Sequence, residues 1–200
     1  MRVTLFDHGA GNLHSLAKAL AAAGADPLIT ADPAQLVGAK AIVFPGVGAF
    51  APAAARLAPA RVAVRDALLA GTPALGICLG MQLLFDSSEE GDGAGLGVFA
   101  GRVTRLATER LPHVGWNSVE NAGERLLESA PLDAVYYAHS YACRPSQPQA
   151  VTAWSALEGE RFPAIVRRGR VVGVQFHPEK SSQAGLAFLR AFLVEAFACA

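Results

Sequence analysis

Three short runs, RVTLF (2–6), AKAIVF (39–44) and TPALGI (72–77), are apolar at nearly every position instead of at every second one. A strand with one wet face alternates polar and apolar residues, so runs like these have to be covered on both faces. Parallel strands joined by crossover helices meet that requirement, and the intervening segments fit the role. NLHSLAKALAAAG (12–24) carries Leu13, Leu16, Ala17 and Leu20 at helical spacing, with Gly24 as its stop. PLIT (27–30) reads as a further strand, 53–70 as one amphipathic helix bearing Arg56, Arg61 and Arg65, and another helix starts near Leu79.

The pattern changes in the second half. Short strands are expected over 98–106, 112–120, 133–141, 150–157, 163–169 and 170–176, with a turn at Arg168-Gly169-Arg170. A last helix over 183–198 puts Leu186, Leu189, Phe192, Leu193, Ala196 and Phe197 on one face, and GDGAGLG (91–97) reads as a flexible loop. No linker or repeat divides the chain. The expectation is one α/β domain over residues 1–200: a central, mostly parallel mixed sheet flanked by helices, with additional antiparallel strands in the second half.

Composition narrows the function. Hydrophobic residues make up 52% and charged residues 17%, which fits a compact fold with room for a partner interface. Seventeen basic and seventeen acidic residues give a net charge of zero, so no global field favours nucleic acid or an anionic membrane. Cys78, Cys143 and Cys199 form no C-x-x-C pair and are odd in number, which fits a reducing compartment better than a disulfide scaffold. MRVTLFDHGAGN meets Asp7 and glycines too early for a signal-peptide core, and no apolar run reaches the ~20 residues of a membrane span. A cytoplasmic protein is expected.

In open α/β sheets, sites form beyond the carboxyl ends of the strands. Four such ends stand out: the glycine turns at 9–11 and 45–48, Cys78, and His177-Pro178-Glu179. Cys78 lies two residues from Gly76 and two from Gly80, the spacing of a sharp strand-to-helix turn that lifts a nucleophile clear of the sheet. A helix N-terminus there favours the thiolate, and the Leu79 amide faces outward for an oxyanion. Taken alone, the same stretch is equally a core cysteine between two packing glycines. VGVQFHPEKSS (172–182) tips the balance. A thiol nucleophile needs a base and an acid, which histidine supplies, and a carboxylate to hold the imidazole tautomer. His177 and Glu179 provide both, with Pro178 fixing their relative aim.

Two further chemistries fail on spacing. The cysteines and His8, His14, His113, His139 and His177 form no metal-ligand motif, so no metal is expected. Gly9-x-Gly11 starts like a dinucleotide fingerprint, but His14 stands where the third glycine belongs, and no cofactor is expected.

GICLGMQ (76–82), FPGVGAF (44–50) and FHPEKS (176–181) together resemble the class I glutamine amidotransferases. PHVGWN (112–117), HSY (139–141), DHGAGN (7–12) and the lysine of HPEKS narrow the resemblance to the glutaminase subunits of imidazole glycerol phosphate synthase, over residues 2–197. The resemblance implies Cys78 as nucleophile, His177 as general base and acid, and Glu179 as its orienter. It implies an oxyanion hole from the backbone of Gly46, Val47, Gly48 and Leu79, and glutamine held by Gly48, Gln82, Ser140 and Tyr141. Asn12, His113, Trp116, Asn117 and Lys180 match positions that face or border a (β/α)₈ cyclase subunit. That partner, in a heterodimer, would receive the ammonia released from L-glutamine. The glycines of PGVG permit the loop to reverse its amides, so cyclase occupancy could complete the oxyanion hole. Ala138 and Ala142 are smaller than that pattern expects, and His8 stands where tyrosine is commoner. A glutaminase serving another product, a stand-alone cysteine hydrolase and a binding module with a vestigial site are the competing readings.

Overall fold

The fold is described from a computed structural model over residues 1–9 and 13–198. Its strands are β1 (Arg2–Phe6), β2 (Asp26–Thr30), β3 (Ile42–Phe44), β4 (Ala74–Ile77), β5 (Ser87–Ser88), β6 (Gly101–Arg105) and β7 (His113–Ser118), followed by β8 (Glu120–Asn121), β9 (Ala134–His139), β10 (Tyr141–Pro145), β11 (Val151–Leu157), β12 (Glu160–Arg168) and β13 (Val171–Val174). The α-helices are α1 (Leu13–Ala22), α2 (Phe50–Leu57), α3 (Arg61–Leu69), α4 (Leu79–Gln82), α5 (Leu126–Ser129) and α6 (Ser182–Phe197).

One sheet organises the molecule, in the order β2-β1-β3-β4-β13-β12-β11-β8. Neighbours from β2 to β13 run parallel, and β12, β11 and β8 continue antiparallel. This is the mostly parallel mixed sheet that the apolar runs require. The period of two divides each central strand between two cores. Val43, Leu75 and Ile77 face the core built with Leu16 and Leu20 of α1 and Phe188, Leu189 and Phe192 of α6. Ile42, Phe44 and Ala74 face the other, built with Phe50 and Leu57 of α2 and Val64 and Leu68 of α3. Two smaller sheets, β10-β6-β5 and β7-β9, lie outside the main one.

Two local expectations are corrected. The single helix over 53–70 is two helices separated by a 3₁₀ turn at Ala58–Ala60. Pro59 sits in that turn, where its missing N–H and its ring prevent an unbroken α-helix. The loop over 91–97 is fastened, not free: Leu96 is fully buried, and the amides of Gly95, Leu96 and Gly97 donate to the carbonyls of Asp86, Leu83 and Phe85.

Candidate active site

The turn from β4 into α4 puts Cys78 at φ 46°, ψ −103°, a left-handed conformation that side chains with a Cβ rarely hold. Such a conformation costs on the order of 1–3 kcal/mol and persists only where its surroundings impose it. Here the imposition comes from both flanks. A Cβ on Gly76 would lie 2.6 Å from the Gly80 carbonyl oxygen, and one on Gly80 would collide with the Phe44 carbonyl of β3. The two glycines therefore let the turn close against its neighbouring strand, which is the physical content of their symmetric spacing around Cys78.

Strand register brings His177. β13 pairs with β4 so that Val174 faces Ile77, and the Cys78 amide donates to the Val174 carbonyl at 2.7 Å. Gln175 is thereby level with Cys78, and its Nε2 donates to Sγ at 3.5 Å. His177 lies two residues further, 1% exposed, with Nδ1 2.8 Å from Glu179 Oε1, while the Cys78 thiol donates to the Ala138 carbonyl at 3.8 Å. Burial pulls the His177 pKa down, but the hydrogen bonds and charges of Cys78 and Glu179 outweigh it and raise it to about 10. The arrangement thus favours the protonated imidazole of His177. The His177 backbone is held as well. Its amide donates to the Tyr136 carbonyl at 2.9 Å, and its carbonyl accepts from Ser181 Oγ at 2.7 Å, while the Tyr136 amide donates to the same hydroxyl at 3.0 Å. A Cβ on Gly46 would lie 2.9 Å from His177 Cε1, so the 45–48 loop closes directly over the imidazole.

These groups border a cavity of about 290 Å³, lined by Gly46, Val47, Gly48, Cys78, Leu79, Gln82, Ser140, Tyr141 and His177. Every residue expected to supply an oxyanion amide or to hold glutamine is in that wall, and Glu179 stands behind His177. Gln82 Nε2 donates to the Tyr141 carbonyl at 3.3 Å, joining α4 to the start of β10. Glu90 also lines the cavity, with Oε2 accepting from the Phe50 amide at 2.8 Å. A roomier groove of about 810 Å³ runs beside α6, between Arg125, Arg170 and Val194. It holds neither nucleophile nor base, so the chemistry belongs to the smaller cavity.

Residues expected at a partner surface separate into two groups. Trp116 is 55% exposed beside Val114 on the outer face of β7. Its ring meets Tyr136 edge-on at 6.3 Å, and Lys180 Nζ lies 5.6 Å from the Tyr136 ring centroid. Asn117 is half-buried and donates to the Ala156 carbonyl at 2.8 Å. His113 differs from the expectation: β7 alternates, so the side chain points inward, is 7% exposed and contacts His139. Asn12 lies outside the described residues. Sequence reasoning did not find Glu90, Gln175, His139 or Ser181. The register rule would have found Gln175, two residues before His177; the other three depend on contacts distant in the chain.

Among the described residues, no group of three His, Cys, Asp or Glu side chains is arranged to hold a metal ion, and no helix is long and apolar enough to cross a membrane. Cys78 and Cys143 are both free thiols, and burial pushes the Cys143 thiol up.

A strained cysteine elbow, with a histidine and a carboxylate just beyond the end of the adjacent parallel strand, has the make-up of a thiol-dependent hydrolytic site. Residues 4–196 match the family described as glutamine amidotransferase class-I, and the chain belongs to that family of enzymes. Its relatives are more specific. It is 42% identical over 202 residues, 97% of this chain and 93% of the relative, to the imidazole glycerol phosphate synthase subunit HisH of Synechococcus elongatus. It is 42% identical over 199 residues, 96% of this chain and 95% of the relative, to the subunit of the same name from Thermosynechococcus vestitus. A solved glutamine amidotransferase with 22% identity superposes with a TM-score of 0.77, covering 98% of this chain and 99% of that one, which supports the fold.

Proposed function

We propose that this chain is the glutaminase subunit of imidazole glycerol phosphate synthase. It hydrolyses L-glutamine with Cys78, His177 and Glu179 and passes ammonia to a cyclase subunit in a heterodimer. The observation that carries the reading is the register of β4 against β13, which supports it by bringing His177, bonded to Glu179 at 2.8 Å, to the cavity that Cys78 also lines. The names of the relatives support the product and the partner.

In this reading, the Cys78 thiolate attacks the side-chain amide carbon of glutamine, and the oxygen takes the charge as the C=O double bond opens. Backbone amides of Leu79 and the Gly46–Gly48 loop receive that oxyanion. His177, protonated and held by Glu179, gives its proton to the nitrogen, and the C–N bond breaks to release ammonia. Water, with His177 taking its proton, then cleaves the glutamyl thioester to glutamate and restores the thiol. Gln82, Ser140 and Tyr141 hold the substrate, and Glu90 sits in the wall as the carboxylate available to the glutamine ammonium group.

The exposed strip of Val114, Trp116, Tyr136 and Lys180 is the docking face for the cyclase. An aromatic pair with a nearby cation has the make-up of interface anchors. Ammonia delivered there would join a phosphorylated aminoimidazole carboxamide intermediate to give imidazole glycerol phosphate and aminoimidazole carboxamide ribotide in histidine biosynthesis. A cytoplasmic setting fits this chemistry. Glutamine turnover by the chain alone, with the cyclase, and with the cyclase plus its ligand tests the reading. Turnover rising along that series is expected; equal rates throughout would overturn the coupling to a cyclase.

A further inference from the structure

Two buried histidines meet beside the cavity, and the reaction described above uses neither ring. His113 of β7 and His139 of β9 are paired across the strands, are 7% and 5% exposed, and place Nδ1 of His113 3.0 Å from Nε2 of His139. Tyr137 stacks on His113 at 4.9 Å, and Phe162 stands edge-on to the two rings at 5.9 and 5.0 Å. Both rings are walled by aromatic carbon, where a charged imidazole is costly.

Their hydrogens can be placed by elimination, because the chain of contacts ends on an atom that only accepts. The Tyr141 carbonyl oxygen lies 2.8 Å from His139 Nδ1, so that nitrogen carries the hydrogen. Burial lowers the His139 pKa to about 4, against the bond to Tyr141, and the ring is neutral near pH 7 with Nε2 a bare acceptor. His113 Nδ1 is then a donor. Burial lowers the His113 pKa also, and its Nε2 accepts from Asn117 Nδ2 at 3.4 Å. Donation runs one way, from Asn117 through His113 and His139 to the Tyr141 carbonyl. The same carbonyl takes the Gln82 bond, so the rings and the Gln82 amide are tied to a single oxygen.

We propose that His113 and His139 are positioning residues: an ordered pair of neutral rings that fixes the Tyr141 carbonyl, and through it Gln82, in the arrangement that receives glutamine. The inference rests on the glutamine reading of the cavity and goes beyond it, because it joins the cavity wall to Asn117 beside Trp116. A pair that only filled space would need no particular tautomer, and this one admits a single pattern of hydrogens.

Calorimetric titration of L-glutamine into the chain carrying Cys78→Ala, which binds without turnover, provides the test. Adding His113→Ala should weaken binding about tenfold, the effect of one lost buried hydrogen bond, and His139→Ala at least as much. Adding His113→Asn instead, which restores an N–H donor toward His139, should recover most of the affinity. No binding by the Cys78→Ala chain overturns the glutamine reading and this inference together. Binding unchanged by His113→Ala, or His113→Asn as damaging as His113→Ala, overturns the inference alone. Should the variants fail to fold, ¹⁵N spectra of the histidine rings in the wild-type chain at pH 7 decide. Both rings should be neutral with hydrogen on Nδ1; hydrogen on Nε2, or on both nitrogens, overturns the assignment.

Discussion

Ser181 is the N-cap residue of α6, yet its hydroxyl makes no capping bond to that helix. It bridges the Tyr136 amide and the His177 carbonyl instead, and it is fully buried. Replacing it with alanine leaves the Tyr136 amide without its partner, a loss of about 1–3 kcal/mol for a buried donor. The His177 carbonyl keeps its bond from the Lys180 amide and loses one of two, about a further 1 kcal/mol. The sum, about 2–4 kcal/mol, corresponds to a fall in Tm of ~5–15 °C for a chain of this size. Because the slack appears in the backbone of His177, the proposed general acid and base, kcat should fall about 10–100-fold with little change in KM. Circular-dichroism melting and steady-state glutamine turnover in the cyclase complex read the two effects. Ser181→Asp separates this account from ordinary capping. Aspartate is among the best N-cap residues, but its carboxylate cannot donate to the His177 carbonyl. If Ser181→Asp melts and turns over like wild type, the hydroxyl is a helix cap and the reasoning fails.

Three other outcomes follow from the geometry. Gly80→Ala drives a Cβ into the Phe44 carbonyl, and should destabilise the chain by about 3 kcal/mol or more and abolish turnover; a urea midpoint near wild type contradicts the elbow. His139 takes up a proton only near pH 4 when folded, against 6.5 as its ordinary value, with His113, His177 and the Tyr141 carbonyl facing it. The unfolded chain therefore binds more protons in that window, and stability drains as pH falls from 6.5 through 4, by up to about 3 kcal/mol; urea midpoints for His139→Asn should show a shallower slope than wild type. Trp116→Ala, at a position 55% exposed, should leave the melting temperature within about 2 °C and weaken cyclase binding at least tenfold; unchanged affinity would remove Trp116 from the interface.

The parts of the site that were legible in the chain are those whose geometry is local. Gly76 and Gly80 announce the Cys78 turn because a tight turn crowds its own neighbours, and Pro178 fixes the aim of His177 and Glu179 over three residues. The parallel core was legible for a related reason: unbroken apolar runs admit few other settings. Contacts between distant segments left no such trace. Glu90 lies just before the 91–97 loop, and its place in the cavity wall, fixed by the Phe50 amide 40 residues away, follows no local pattern. That His113 meets His139 is not legible because the pairing of β7 with β9, outside the main sheet, cannot be read from either strand. The resemblance alone makes His113 a position that faces or borders a partner, whereas alternation along β7 turns it inward and leaves Val114 and Trp116 outside. Ser181 left no trace either, because its bridge joins His177 to Tyr136 of β9, 45 residues away in the chain.

The central claim is that Cys78 alone is the nucleophile, activated by His177. Labelling with a glutamine-mimicking alkylator, followed by peptide mass spectrometry, measures it directly. The account predicts one adduct, on Cys78, absent from Cys143 and Cys199 and strongly slowed by His177→Ala. A label on Cys143 or Cys199 with Cys78 untouched, or labelling of Cys78 unaffected by loss of His177, would contradict it.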